Sequence, residues 1–145
     1  MSGDWNVNGG RLWAIGATTA LVGALAAAVV WLFATQVFDE TLLVQQGTGG
    51  DLQELGVGAV LIVAFLMGLI AVGVWYLLLL FVPRGDLFFG LLGTLFLLIS
   101  FVPLAQLDVT TANKLWLAAM HLTVYIFVVP ILSGSVNRVA TRRVR

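Results

Sequence analysis

Residues Leu55–Pro83 read LGVGAVLIVAFLMGLIAVGVWYLLLLFVP, 29 positions without one charged side chain. A helix rises 1.5 Å per residue, and a bilayer core of about 30 Å needs roughly 20 apolar residues to cross. Hydrocarbon offers no partner to an open backbone N–H or C=O, so such a run crosses as a helix that pairs its own main chain.

Three more charge-free runs flank it: Leu12–Phe38 with 27 residues, Leu87–Leu107 with 21 and Leu115–Asn137 with 23. Each is long enough to span. Four strands would be too few to close a barrel. The expected fold is an all-α integral membrane bundle of four transmembrane helices over 12–38, 55–83, 87–107 and 115–137. The 145 residues form one domain, with antiparallel neighbours and a basic tail over 138–145. The first run is longer than the ~7–15 residues of a signal-peptide core and has no cleavage site after it, so it is expected to stay as a helix.

Composition agrees. Hydrophobic residues make up 61% of the chain and charged ones 10%, with a mean hydropathy of +1.07. A soluble domain carries about 25% charged residues, and a disordered chain carries still less apolar surface. Cysteine is absent, which removes disulfides and thiolate chemistry. A net charge of zero gives no field to attract nucleic acid.

The fourteen charges divide unevenly. Arg11, Arg84, Arg138, Arg142, Arg143 and Arg145 fall on the side of the termini, and only Lys114 falls on the other. The positive-inside rule places both termini in the cytoplasm of a multi-pass cell-membrane protein. The tail arginines extend the fourth helix and meet anionic headgroups of the lipid bilayer. On the outer side, Asp39–Glu54 reads as a solvated acidic loop. Asp86 is placed to cap the third helix, Asp51 and Glu54 to form a capping box for the second, and Thr110 or Thr111 to cap the fourth.

Small residues recur at four-residue steps in the first helix: Gly16, Ala20, Ala24 and Ala28. Such ridges let backbones approach in lipid. They suit packing within one bundle, or a homodimer seam along this helix. No internal repeat and no mid-membrane break point to a transporter.

Polar groups inside spans are functional candidates because they are costly there. His121 is the only histidine, seven residues after Lys114 and so about 10 Å below the outer boundary. Ser100 lies at similar depth on the antiparallel third helix. Pro103 frees the Ile99 carbonyl beside it. A cluster of His121, Ser100 and that carbonyl, facing the bundle interior, is the expected arrangement. Thr35 and Gln106 lie near outer ends, and Tyr125 follows His121 by one turn. A structural histidine fixing the rotation of the fourth helix and a ligand-contacting one are both open. No second His, Cys or intramembrane carboxylate accompanies it, so neither a metal nor another cofactor is expected. There is no nucleophile–base set, no phosphate loop and no paired carboxylates within the membrane, so no enzyme is expected.

The runs Ile99-Ser100-Phe101-Val102-Pro103, Thr110-Thr111-Ala112-Asn113-Lys114-Leu115, Met120-His121-Leu122 and Val129-Pro130-Ile131-Leu132 carry a resemblance. Over residues 60–145 the chain resembles small actinobacterial four-helix membrane proteins known as a domain of unknown function, the 6069 type. The resemblance implies the four-helix topology and draws attention to Ser100, Pro103, His121 and Pro130. It implies no activity. From the residues alone the chain is expected to be a non-enzymatic accessory, scaffold or partner-binding subunit. The alternative is a binder of a small apolar or lipid-like ligand in an outward-facing cavity near His121 and Ser100.

Overall fold

The computed structural model describes residues 5–45 and 50–142. Strand β1 (Trp5–Val7) leads into α1 (Gly9–Leu32), which ends in a π-helical turn over Phe33–Val37. A hairpin of β2 (Leu43–Gln45) and β3 (Leu52–Glu54) follows. Then come α2 (Val57–Phe81), α3 (Gly85–Gln106), α4 (Thr111–Gly134), the short α5 (Val136–Val139) and β4 (Ala140–Arg142). Four helices are long and apolar enough to cross a membrane, and their outer faces carry large apolar side chains such as Leu66, Ile70, Leu95 and Leu98. This is a multi-pass membrane bundle. The helices lie within a few residues of the expected spans, although α4 starts at Thr111 rather than Leu115 and stops at Gly134 rather than Asn137.

α1 packs on both α2 and α4, and α3 stands at the opposite corner against α4 and α2. The small-residue ridge explains the place of α1. Gly16 lies against Val72 of α2, Gly68 of α2 lies against Ala20, and Gly23 faces Val128 of α4. Gly16, Ala20, Ala24 and Ala28 are all buried within the one chain. The homodimer seam along these residues is therefore corrected: the chain's own α2 and α4 already fill the notch that the missing side chains leave.

Both ends of the bundle are closed by strand pairs. At one end β1 runs antiparallel to β4, with Trp5 opposite Arg142 and Val7 opposite Ala140. The Asn8 N–H donates to the Val139 carbonyl at 2.8 Å. The tail thus does not extend the fourth helix. The chain bends at Ser135, and the apolar Val136, Val139 and Ala140 fold back and bury against the bundle, which a straight helix would leave in water. Arg143 and Arg145 lie outside the described residues.

At the other end the acidic loop is structured. Leu43 pairs with Glu54 and Gln45 with Leu52. Asp51 and Glu54 form no capping box, because Leu52–Glu54 is committed to the ladder and α2 starts after Gly56 without a side-chain cap. Asp86 is not the cap of α3 either. Arg84 takes left-handed backbone angles (φ 57°) and reverses the chain in one residue, so α3 begins at Gly85 and Asp86 falls in its first turn. An acid there still complements the helix dipole. Thr110 does cap α4, accepting from the Asn113 N–H at 3.1 Å.

The buried side chains form two groups. One, around Trp75, Leu79, Phe89, Val128 and Leu132, lies at the end where the termini meet. The other, around Ala34, Leu42, Val60, Leu104, Leu117 and Met120, lies at the hairpin end. Between them α3 has no buried residue from Gly90 to Pro103.

Candidate functional site: the open side around His121

His121 is the eleventh of the 24 residues of α4, about 15 Å from the hairpin-end start of that helix. It lies one turn from Leu117 and two from Val128, which puts all three on one face. Leu117 is 4% exposed and Val128 3%, yet His121 between them is exposed. The gap between the two core groups is what uncovers it. Over the same stretch α3 also leaves Phe96 and Ile99 exposed, on its face away from the Thr94 contact with α4.

The ring Nδ1 sits 2.8 Å from the Leu117 carbonyl oxygen. A carbonyl only accepts, so Nδ1 carries the hydrogen. In the neutral ring Nε2 then presents a bare lone pair. The expected cluster with Ser100 and the Ile99 carbonyl is not formed. Ser100 is half-buried and donates to Leu97 one turn back, at 2.7 Å. Pro103 is exposed.

The reason is local. In hydrocarbon the nearest acceptor for a short polar side chain is its own helix one turn earlier. Thr18 donates to Ala14, Thr35 to Trp31 at 3.0 Å, and Thr94 to Gly90 at 2.9 Å by the same rule. Gln106 is exposed and makes no side-chain hydrogen bond among the described residues. The remaining candidate, Tyr125, links helices: its hydroxyl lies 2.8 Å from Thr94 Oγ1. Because Thr94 donates to Gly90, Tyr125 is the donor in that pair.

Three residues that sequence reasoning passed over hold the architecture. Asn113, 1% exposed, accepts from the Leu43 N–H at 2.7 Å and donates to the Leu43 carbonyl at 3.0 Å. The Trp31 indole donates to the Leu55 carbonyl at 2.6 Å. Thr94 bridges α3 and α4. The one available signal was Asn113, an amide three positions after a capping threonine. No three His, Asp or Glu side chains gather as a metal-binding group among the described residues. A cleft of about 380 Å³ is present, but it lies near the other end of α3 and includes neither His121 nor Ser100.

A model of a family of unknown function, DUF6069, matches residues 7–138. The match reaches from β1 through α1 and the hairpin, well before the motifs that carried the resemblance. No curated protein and no solved structure matches the chain.

Proposed function

The chain belongs to the DUF6069 family of unknown function, and we propose that it is a non-enzymatic, partner-binding subunit of the cell membrane. A transmembrane helix of another protein covers the open side along α3 and His121. The supporting observation is the exposed His121 side chain near the middle of its span, whose Nε2 makes no hydrogen bond among the described residues. Lipid tails carry no hydrogen-bond donor, so they leave that nitrogen unsatisfied, whereas a Ser, Thr, Asn or Gln on a neighbouring helix satisfies it. α3 supplies the rest of the surface: 11% of its apolar stretch is buried, against 39% of that of α1.

A photoreactive side chain at Phe96 or Ile99 tests this in native membranes. We expect one discrete protein adduct, retained at fixed stoichiometry in mild detergent and lost in His121→Leu. Stability should change by no more than about 0.5 kcal/mol in that variant, since the ring is exposed and bonds only its own helix. A lone monomer after gentle extraction overturns the proposal. Adducts with lipid alone turn it toward the competing reading of an apolar or lipid-like ligand beside His121 and Ser100.

Sidedness follows the arginines. Arg11, Arg84 and Arg138 mark the end where β1 and β4 meet, which we assign to the cytoplasm. The chain has no cysteine, so single substitutions report cleanly. A membrane-impermeant maleimide should label Gln53→Cys in intact cells and Asn137→Cys only after permeabilisation. The reverse pattern refutes the assignment.

A further inference from the structure

The geometry points to a second site, a cleft between α3 and α4 that takes the head of an amphiphile carrying a primary ammonium and a phosphate. The cleft holds about 380 Å³ and is lined by Asp86, Leu87, Gly90, Leu91, Thr94 and Ser133. Thr94, which lines its inner end, is bonded across to Tyr125 of α4. Gly90 keeps it open, because a Cβ there would find only Ser133 Oγ, at 3.9 Å.

Two polar groups in it lack partners. The Asp86 carboxylate, half-buried in the first turn of α3, makes no side-chain hydrogen bond among the described residues and is the only described acid at that end of the bundle. Ser133 Oγ is shielded from solvent and bonds nothing, although serines inside helices ordinarily bond back one turn. Ser133 lines the cleft, with its Oγ 3.9 Å from where a Gly90 Cβ would stand.

The lining sets the ligand chemistry. An ammonium group brings three N–H donors to a carboxylate and a hydroxyl, whereas a quaternary head has none and a purely anionic head is repelled by Asp86. Arg84, two residues before Asp86 and exposed, supplies the charge for a phosphate on the same head. The depth also fits. Asp86 lies at the helix end, and Thr94 lies eight residues, or about 12 Å, further in. Leu87 and Leu91, both exposed, form the wall against which an acyl chain runs.

Native mass spectrometry after release from equimolar dioleoyl phosphatidylethanolamine, phosphatidylcholine and phosphatidylglycerol reads this out. The ethanolamine lipid should be retained about fivefold over the other two, the ratio one such hydrogen bond supports. The preference should vanish in Asp86→Asn and in Gly90→Leu, which fills the cleft; if Asp86→Asn does not fold, Gly90→Leu carries the test. Excess free phosphoethanolamine separates sources: displacement shows that the head alone suffices, and retention shows that the chains are needed. Equal retention of all three lipids by the wild type, or a preference that survives both variants, overturns the proposal.

Discussion

Asn113→Ala should destabilise the bundle by roughly 2–4 kcal/mol and release the β2–β3 hairpin. The Asn113 side chain holds β2 by both the N–H and the C=O of a single residue, Leu43, at 2.7 and 3.0 Å. Alanine removes both partners, and each main-chain group left unpaired in this half-buried place costs about 1–2 kcal/mol. Asn113→Asp is the sharper comparison. It keeps the acceptor for the Leu43 N–H but turns an oxygen toward the Leu43 carbonyl, so it should recover none of the second bond. Thermal unfolding in detergent gives the energy, and amide exchange at Leu43 and Leu55 reports the hairpin. Helix α4 itself should persist, since Thr110 still caps it. An unchanged midpoint together with slow exchange at Leu43 would show that the clamp is dispensable.

Gly85→Ala should be at least as damaging, at about 3 kcal/mol or more. A Cβ at this position would collide with the Leu78 carbonyl and stand 2.9 Å from the Leu79 nitrogen. These are main-chain atoms in the last turn of α2, and no rotamer change clears them. The turn between α2 and α3 has to open, and the Trp75–Phe89 contact, with ring centroids 6.3 Å apart, opens with it. Gly90→Ala on the same helix is the control. It meets only Ser133 Oγ at 3.9 Å, so better helix propensity should leave stability unchanged or raise it by up to about 1 kcal/mol. Equal unfolding midpoints for the two variants would contradict the close approach of α2 and α3 at Gly85.

The open side around His121 and the cleft at Asp86 are chemically distinct. The first presents an acceptor at mid-span, which the proposed partner helix would supply with a donor. The second presents a carboxylate near a helix end and calls for a cation. Variants at one should leave the readout of the other unchanged, because they lie at different depths: His121 and the cleft-lining Ser133 are twelve residues, about 18 Å, apart along α4.

The charge gaps between Arg11 and Asp39, Glu54 and Arg84, Asp86 and Asp108, and Lys114 and Arg138 each already marked one of the four helices, although α1, α3 and α4 start one to three residues before the first charge. That much is local: a charge in hydrocarbon is so costly that span ends are written one residue at a time. The small-residue ridge of α1 was legible as a packing face for the same reason, since only missing side chains let helices approach in lipid. What covers that ridge was not legible, because Gly16 and Ala20 would suit a second copy as well as α2. Likewise the spacing of His121 and Ser100 put them at similar depth but could not say whether α3 comes close enough to join them. Local carbonyls at Leu117 and Leu97 took those side chains instead. The hairpin on Asn113 and the return of Val136–Ala140 depend on contacts between residues 70 or more positions apart, and hydropathy over a window does not register those. Solvent preference is a property of single side chains and survives in the linear order. Pairing depends on which surfaces meet, and only the packed helices decide that.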